Sequence, residues 1–323
     1  MARQCHAEAM PWRLKRVVGY VHQGVASCWV WLCRFAPPQT ARWLAGDRAR
    51  ICSAYRELCA DAHRICADYA GPQLVSMSDP MYGLQLAASA SLRSMIGCRK
   101  DTRTVVIAEG NRRRFVEATM DLQSVLAALA KMSAIIVMSI GRRYGFTMDD
   151  ALLAAVTKVQ WRTPYMWQWG DRPQASSVAE AMEHWSTRKR AKNSEEAMAF
   201  TPNKGFGGQA TCPADTLVLT VACLTDGRGC PWARTKTPEE MIGFIHEEVS
   251  ETKEELAQLE GGDSTEKVRL ALVSELGDIL FSVLMAIFLS ARDFRVDVEA
   301  IFQEALIRAQ ANDALWRSRD SSP

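Results

Sequence analysis

Two pairs of carboxylates constrain this chain more than any other feature. Glu248 and Glu251 stand three residues apart within HEEVSETKEEL, and Glu275 and Asp278 repeat that spacing within SELGD. On a helix, each pair shares one face about a turn apart. The polar break LEGGDSTEK lies between them. Two helices joined by so short a loop would pack antiparallel and direct all four acids to one spot. Like charges in a partly buried site repel and drive one another neutral. A hard divalent cation resolves that conflict, and all-oxygen ligation suits Mg²⁺ or Mn²⁺. Residues 279–290, directly after Asp278, carry no charge. Twelve residues are too few to span a bilayer, so an apolar surface on nearly all sides predicts the core of a helical bundle or a dimer interface.

The order of motifs is more specific than either acidic pair. LVLTVACLTDGRGCPW (217–232) precedes EExxE (247–251), and ELGD (275–278) then leads into the apolar run. This set, over residues 214–311, resembles the MazG-type nucleoside triphosphate pyrophosphohydrolases. The resemblance implies an all-α, MazG-like helical bundle that cleaves a (d)NTP to (d)NMP and pyrophosphate in nucleotide-pool housekeeping. It implies Glu248, Glu251, Glu275 and Asp278 as ligands of Mg²⁺, with Mn²⁺ as an alternative, and Glu247 as the group that orients or deprotonates water. Trp232 would stack on a base, although a tryptophan beside proline also serves as a packing anchor. Arg308 and Asn312 would contact the phosphates. The chain departs from the family in having Ala233 after the CPW turn, and Ala305 and Ala309 where basic residues are common. That thinning of cations leaves compensation to Lys253, Lys267, Arg269 or the N-terminal half. Family members complete their site by dimerising, so the expectation is a homodimer or an intramolecular pairing with the N-terminal helical unit.

The rest of the chain is read in segments. Among 323 residues, 48% are hydrophobic and 24% charged, with a formal net charge of +2. That is an ordinary balance for two globular domains and gives no ground to predict specific nucleic-acid binding or a membrane span. Ten cysteines without a CxxC pair, and five scattered histidines, predict core thiols in an intracellular, reducing compartment. Residues 1–46 hold six Arg or Lys against the single acid Glu8. They read as a basic arm, in a cytoplasmic protein, or as a transit segment, in a mitochondrial one.

Residues 47–160 form a helical domain, with helices predicted over 48–70, 82–96, 114–142 and 149–160 and a short strand over 103–108. Residues 161–211 connect, with one helix at 177–188 and a Gly-rich linker. Residues 212–316 are the catalytic domain, and 317–323 a polar tail. FTMD (146–149) before an amphipathic helix echoes FRVD (294–297) before another. Both are a short turn, an aspartate at a helix start, then a helix. The 47–160 unit therefore reads either as a degenerate repeat without the acids or as unrelated helical packing. Two other functions fit the same residues: hydrolysis of a specialised nucleotide, phosphoribosyl-ATP-like or a modified dNTP, and a non-catalytic regulatory bundle.

Overall fold

The computed structural model describes the backbone of residues 39–68, 78–104, 109–192, 194–202, 205–206, 209–210, 212–262 and 265–320, and most of the side chains within 48–62, 81–98, 121–202 and 212–311. Residues 1–38 of the basic arm and 321–323 of the polar tail fall outside the described residues, while 39–46 and 317–320 are helical.

The protein is all-α. Helices α1 (Gln39–Asp68), α2 (Ser78–Thr104), α3 (Glu109–Tyr144) and α4 (Met148–Arg162) make up the N-terminal half. The connection holds α5 (Val178–Arg190), α6 (Glu195–Ala199) and a two-residue antiparallel pair, β1 (Gly205–Phe206) with β2 (Gln209–Ala210). The C-terminal half is α7 (Pro213–Thr225), α8 (Pro231–Thr235), α9 (Pro238–Glu260), α10 (Glu266–Phe294) and α11 (Val298–Asp320).

Local chemistry sets these boundaries. Thr147 caps α4 and Thr237 caps α9, each in a reciprocal box with an acid three residues on, Asp150 and Glu240. Pro238 opens α9 at a position where its missing N–H costs nothing. Thr265 accepts from the Val268 N–H to start α10, which ends at Arg295 in the left-handed region, φ 60°. Asp297 accepts from the Glu299 and Ala300 N–H groups and starts α11.

Two expectations are corrected. Arg103 and Thr104 of the expected strand belong to α2, which continues through the polar run RKDTRT (99–104), a stretch with no apolar alternation to favour a strand; residues 105–108 lie outside the described set. Cys230-Pro231-Trp232 is not a bare turn but the start of the one-turn helix α8.

α9 and α10 form a hairpin, and α2 and α3 form another. The halves interlock in matching pairs: α4 lies on α10 as α11 lies on α3, and α7 meets α4 as α1 meets α11. Across the middle, α1 touches α7, α2 touches α9 and α3 touches α10. One apolar core runs from Ile51 to Ala305 through both halves. Within it lie Cys52 and Cys59, whose thiols burial pushes up to about 12, so they remain neutral core groups. None of the cysteines with described side chains is joined in a disulfide.

Residues 121–144 of α3 and the whole of α10 are long and apolar enough to cross a membrane by length and composition; the expectation from residues 279–290 alone counted too little of the helix. The apolar stretch of α10 is 83% buried against its neighbours, as in the core helix of a bundle.

The closest crossing between the halves is at Gly277. A Cβ there would stand 2.7 Å from the Ala151 carbonyl oxygen and 3.1 Å from the Ala155 nitrogen of α4. Only a glycine on α10 and alanines on α4 let the two backbones approach this closely.

Candidate active site

The hairpin brings the acids together. Among the described residues, Glu248, Glu251 and Glu275 each offer an oxygen within 4.8 Å of the others. Glu248 and Glu275 are half-buried, and Glu251 is exposed. Burial raises the Glu248 carboxyl to about 8, reinforced by Asp278, Glu275 and Glu251 and opposed by Lys158. Burial also raises Glu275, with Asp278 and Glu251 adding to the effect and Lys158 opposing it. A metal-free site thus takes up protons to relieve crowded charge.

Asp278 has a different partner from the three glutamates. Its carboxylate accepts from the Lys158 ammonium in a close ion pair, each side chain 17% exposed. Lys158 lies on α4, one turn beyond Ala155 at the Gly277 crossing. Arg162 follows one turn later. Burial lowers its pKa, while Asp278, Glu275 and Glu248 pull it back up, so the guanidinium sits in the field of the same acids. It lies over the Trp185 ring of α5, 5.1 Å from its centroid. Trp185 and Trp232 stand with centroids 6.4 Å apart and planes 16° from parallel. Phe244, one turn before Glu248 on α9, is 6.3 Å from Trp232.

The other expected site residues go elsewhere. Glu247 is exposed on α9, a turn before Glu251, and is not one of the three clustered glutamates. Lys253 donates to Gln85 Oε1 of α2 at 3.2 Å. Arg269 pairs with Glu266 at 2.7 Å. Arg308 pairs with Glu304 at 2.6 Å on the face of α11 that meets α3, where Ser124 also donates to Glu304. The side chain of Asn312 lies outside the described residues. Lys158 and Arg162 are the cations that sequence reasoning did not name. Their four-residue spacing after Ala151 and Ala155 was the available signal, and only as part of a general appeal to the N-terminal half.

Hard oxygen donors suit a divalent cation. Four carboxylates against two facing cations leave two formal negative charges, which one such ion neutralises. The donor set therefore fits Mg²⁺ or Mn²⁺.

No curated protein and no solved structure matches the chain. Residues 236–310 match the family model of the MazG nucleotide pyrophosphohydrolase domain, which spans α9, α10 and the first half of α11 with all four acids. The match begins after the 214–232 segment, so α7 and the CPW sequence lie outside it. Over residues 236–310, in its C-terminal third, the chain thus matches the MazG nucleotide pyrophosphohydrolase domain.

Proposed function

We propose that the protein hydrolyses a nucleoside triphosphate between its α and β phosphorus atoms, releasing pyrophosphate, at the site between α9, α10 and α4. The observation that carries this reading is the three-glutamate cluster faced by Lys158 and Arg162 across the Gly277 crossing. Acids alone would bind a cation; acids opposed by two cations suit a polyanion bound together with one. A divalent cation held by Glu248, Glu251 and Glu275 supplies charge neutralisation and a more acidic bound water.

The chain's own residues do the rest. Lys158 holds Asp278 in the metal-free protein and is the ammonium from which phosphate oxygens accept hydrogen bonds once substrate arrives. Arg162 presents a fork of donors suited to two phosphate oxygens. Glu251, the exposed member of the cluster, would face the solvent from which the attacking water comes. The buried apolar face of α10 holds both of its acids rigidly, which favours positioning and charge stabilisation over covalent chemistry.

The helices around the site also bear on assembly. We read α1–α4 and α7 with α9–α11 as two like units, the first lacking the acids and standing where a second copy would. The matching packing pairs and the FTMD and FRVD helix starts support this division near residue 210.

The test is pyrophosphate release from each NTP and dNTP with Mg²⁺, beside Glu275→Ala. Release by the wild type and none by the variant supports the proposal; release by both overturns the assignment of this site.

A further inference from the structure

The triphosphate reading accounts for the acids, Lys158 and Arg162, but not for the aromatic cluster beside them. Trp185 sits on α5, outside the family match, in a connection that sequence reading treated as a spacer. Yet α5 is docked firmly. The Arg188 guanidinium lies 3.8 Å over the Trp161 ring at the end of α4, and Trp161 Nε1 donates to the Arg188 carbonyl at 3.2 Å. Tyr165 and His184 rings approach to 5.5 Å. This docking aims Trp185 at two things at once, Arg162 on one side and Trp232 on the other.

The contacts link the aromatic rings to the acids in a continuous series. Glu248 is a turn from Phe244, Phe244 touches Trp232, Trp232 faces Trp185, and Trp185 carries Arg162, which feels Glu248 again. Lys236 adds a second cation, 5.3 Å from the Trp232 centroid. Trp185, Trp232 and Phe244 are all only half-buried, so each keeps some contact with solvent. Carbon atoms in contact lie about 3.5–4.0 Å apart, so one flat ring between two others needs roughly 7 Å. The two indoles stand 6.4 Å apart and nearly parallel. Facing each other, they admit a flat ring with a small rotation; offset, they offer it one continuous wall.

We propose that Trp185, together with Trp232, forms the subsite for the nucleobase, so that α5 supplies the stacking surface for the base of the bound nucleotide. The proposal rests on the triphosphate reading of the acid cluster. Arg162 marks the junction, with phosphates on its acidic side and the base on its aromatic side. Stacking of this kind recognises any planar base, because each has a π-face.

The experiment compares the full-length wild type with Trp185→Ala and Trp185→Phe, using Mg²⁺ throughout and circular dichroism to confirm equal helicity. Calorimetric titration measures binding of nucleoside triphosphates and of inorganic tripolyphosphate, which has no base. The expected result is a roughly 5- to 100-fold loss of nucleotide affinity in Trp185→Ala. Tripolyphosphate affinity stays within about twofold of wild type, and Trp185→Phe recovers most of the loss. In turnover the change falls on KM and leaves kcat close to wild type. Equal loss for nucleotide and tripolyphosphate overturns the proposal, since Trp185 then acts only by holding Arg162. Unchanged nucleotide affinity overturns it as well. Base-dependent binding without pyrophosphate release by the wild type leaves the subsite standing and refutes the hydrolytic reading instead.

Discussion

The metal-free protein should lose stability as pH rises from about 5 to 8, and Glu248 should be the main cause. Its carboxyl moves from an ordinary 4.5 to about 8 through burial and through Asp278, Glu275 and Glu251. Between those values the folded chain holds a proton that the unfolded chain has released. Stability from this group is therefore complete below 4.5 and is lost as pH climbs through 8. Each pH unit in that window is worth ~1.4 kcal/mol, which sets a ceiling of about 5 kcal/mol. The carboxyl keeps partial contact with water, and screening reduces the expected loss to about 2–3 kcal/mol. Urea unfolding followed by helical circular dichroism in EDTA measures it directly. Glu248→Gln should flatten the profile and make the metal-free protein more stable than wild type at pH 8, while abolishing pyrophosphate release. Mg²⁺ at a hundred times its dissociation constant should restore about 2.7 kcal/mol to the wild type. Parallel pH profiles for wild type and Glu248→Gln in EDTA would refute the argument, because the crowded charge would then lie elsewhere.

Three further outcomes follow from the same geometry. Lys158→Met leaves Asp278 largely buried without its partner, and should cost about 3 kcal/mol in metal-free urea unfolding and about a hundredfold in kcat/KM. Gly277→Ala pushes a methyl into the Ala151 carbonyl; it should lower stability by about 1–2 kcal/mol in thermal melts and reduce activity by shifting Lys158. Arg308→Ala should leave kcat/KM within a few-fold of wild type in steady-state assays, whereas Arg162→Ala should raise KM tenfold or more. Arg308 is tied to Glu304 on another face of the bundle.

Much of the C-terminal half was legible from residue order. The three-residue spacing of Glu248 with Glu251 and of Glu275 with Asp278 places each pair on one face whatever surrounds the helix. The intervening GGDST segment makes a hairpin almost unavoidable, and the uncharged run after Asp278 must be buried. Caps such as Thr237 with Glu240 are equally local, because both partners lie within one turn.

The cations and the aromatic wall depended on long-range packing. Nothing near Lys158 in the chain distinguishes it from a solvated lysine; it becomes part of the site because Gly277, Ala151 and Ala155 let α10 and α4 approach backbone to backbone. Arg308 carried the expected residue type and position, yet α11 turns it toward α3. Trp185 sat in an apparent spacer until Trp161 and Arg188 fixed α5 beside the acids. Helical periodicity orders residues a turn or two apart, and so a sequence reveals the acids. Charges and rings contributed from far along the chain, such as Lys158 and Trp185, meet those acids only when helix surfaces interlock, and the shape of those surfaces belongs to the fold.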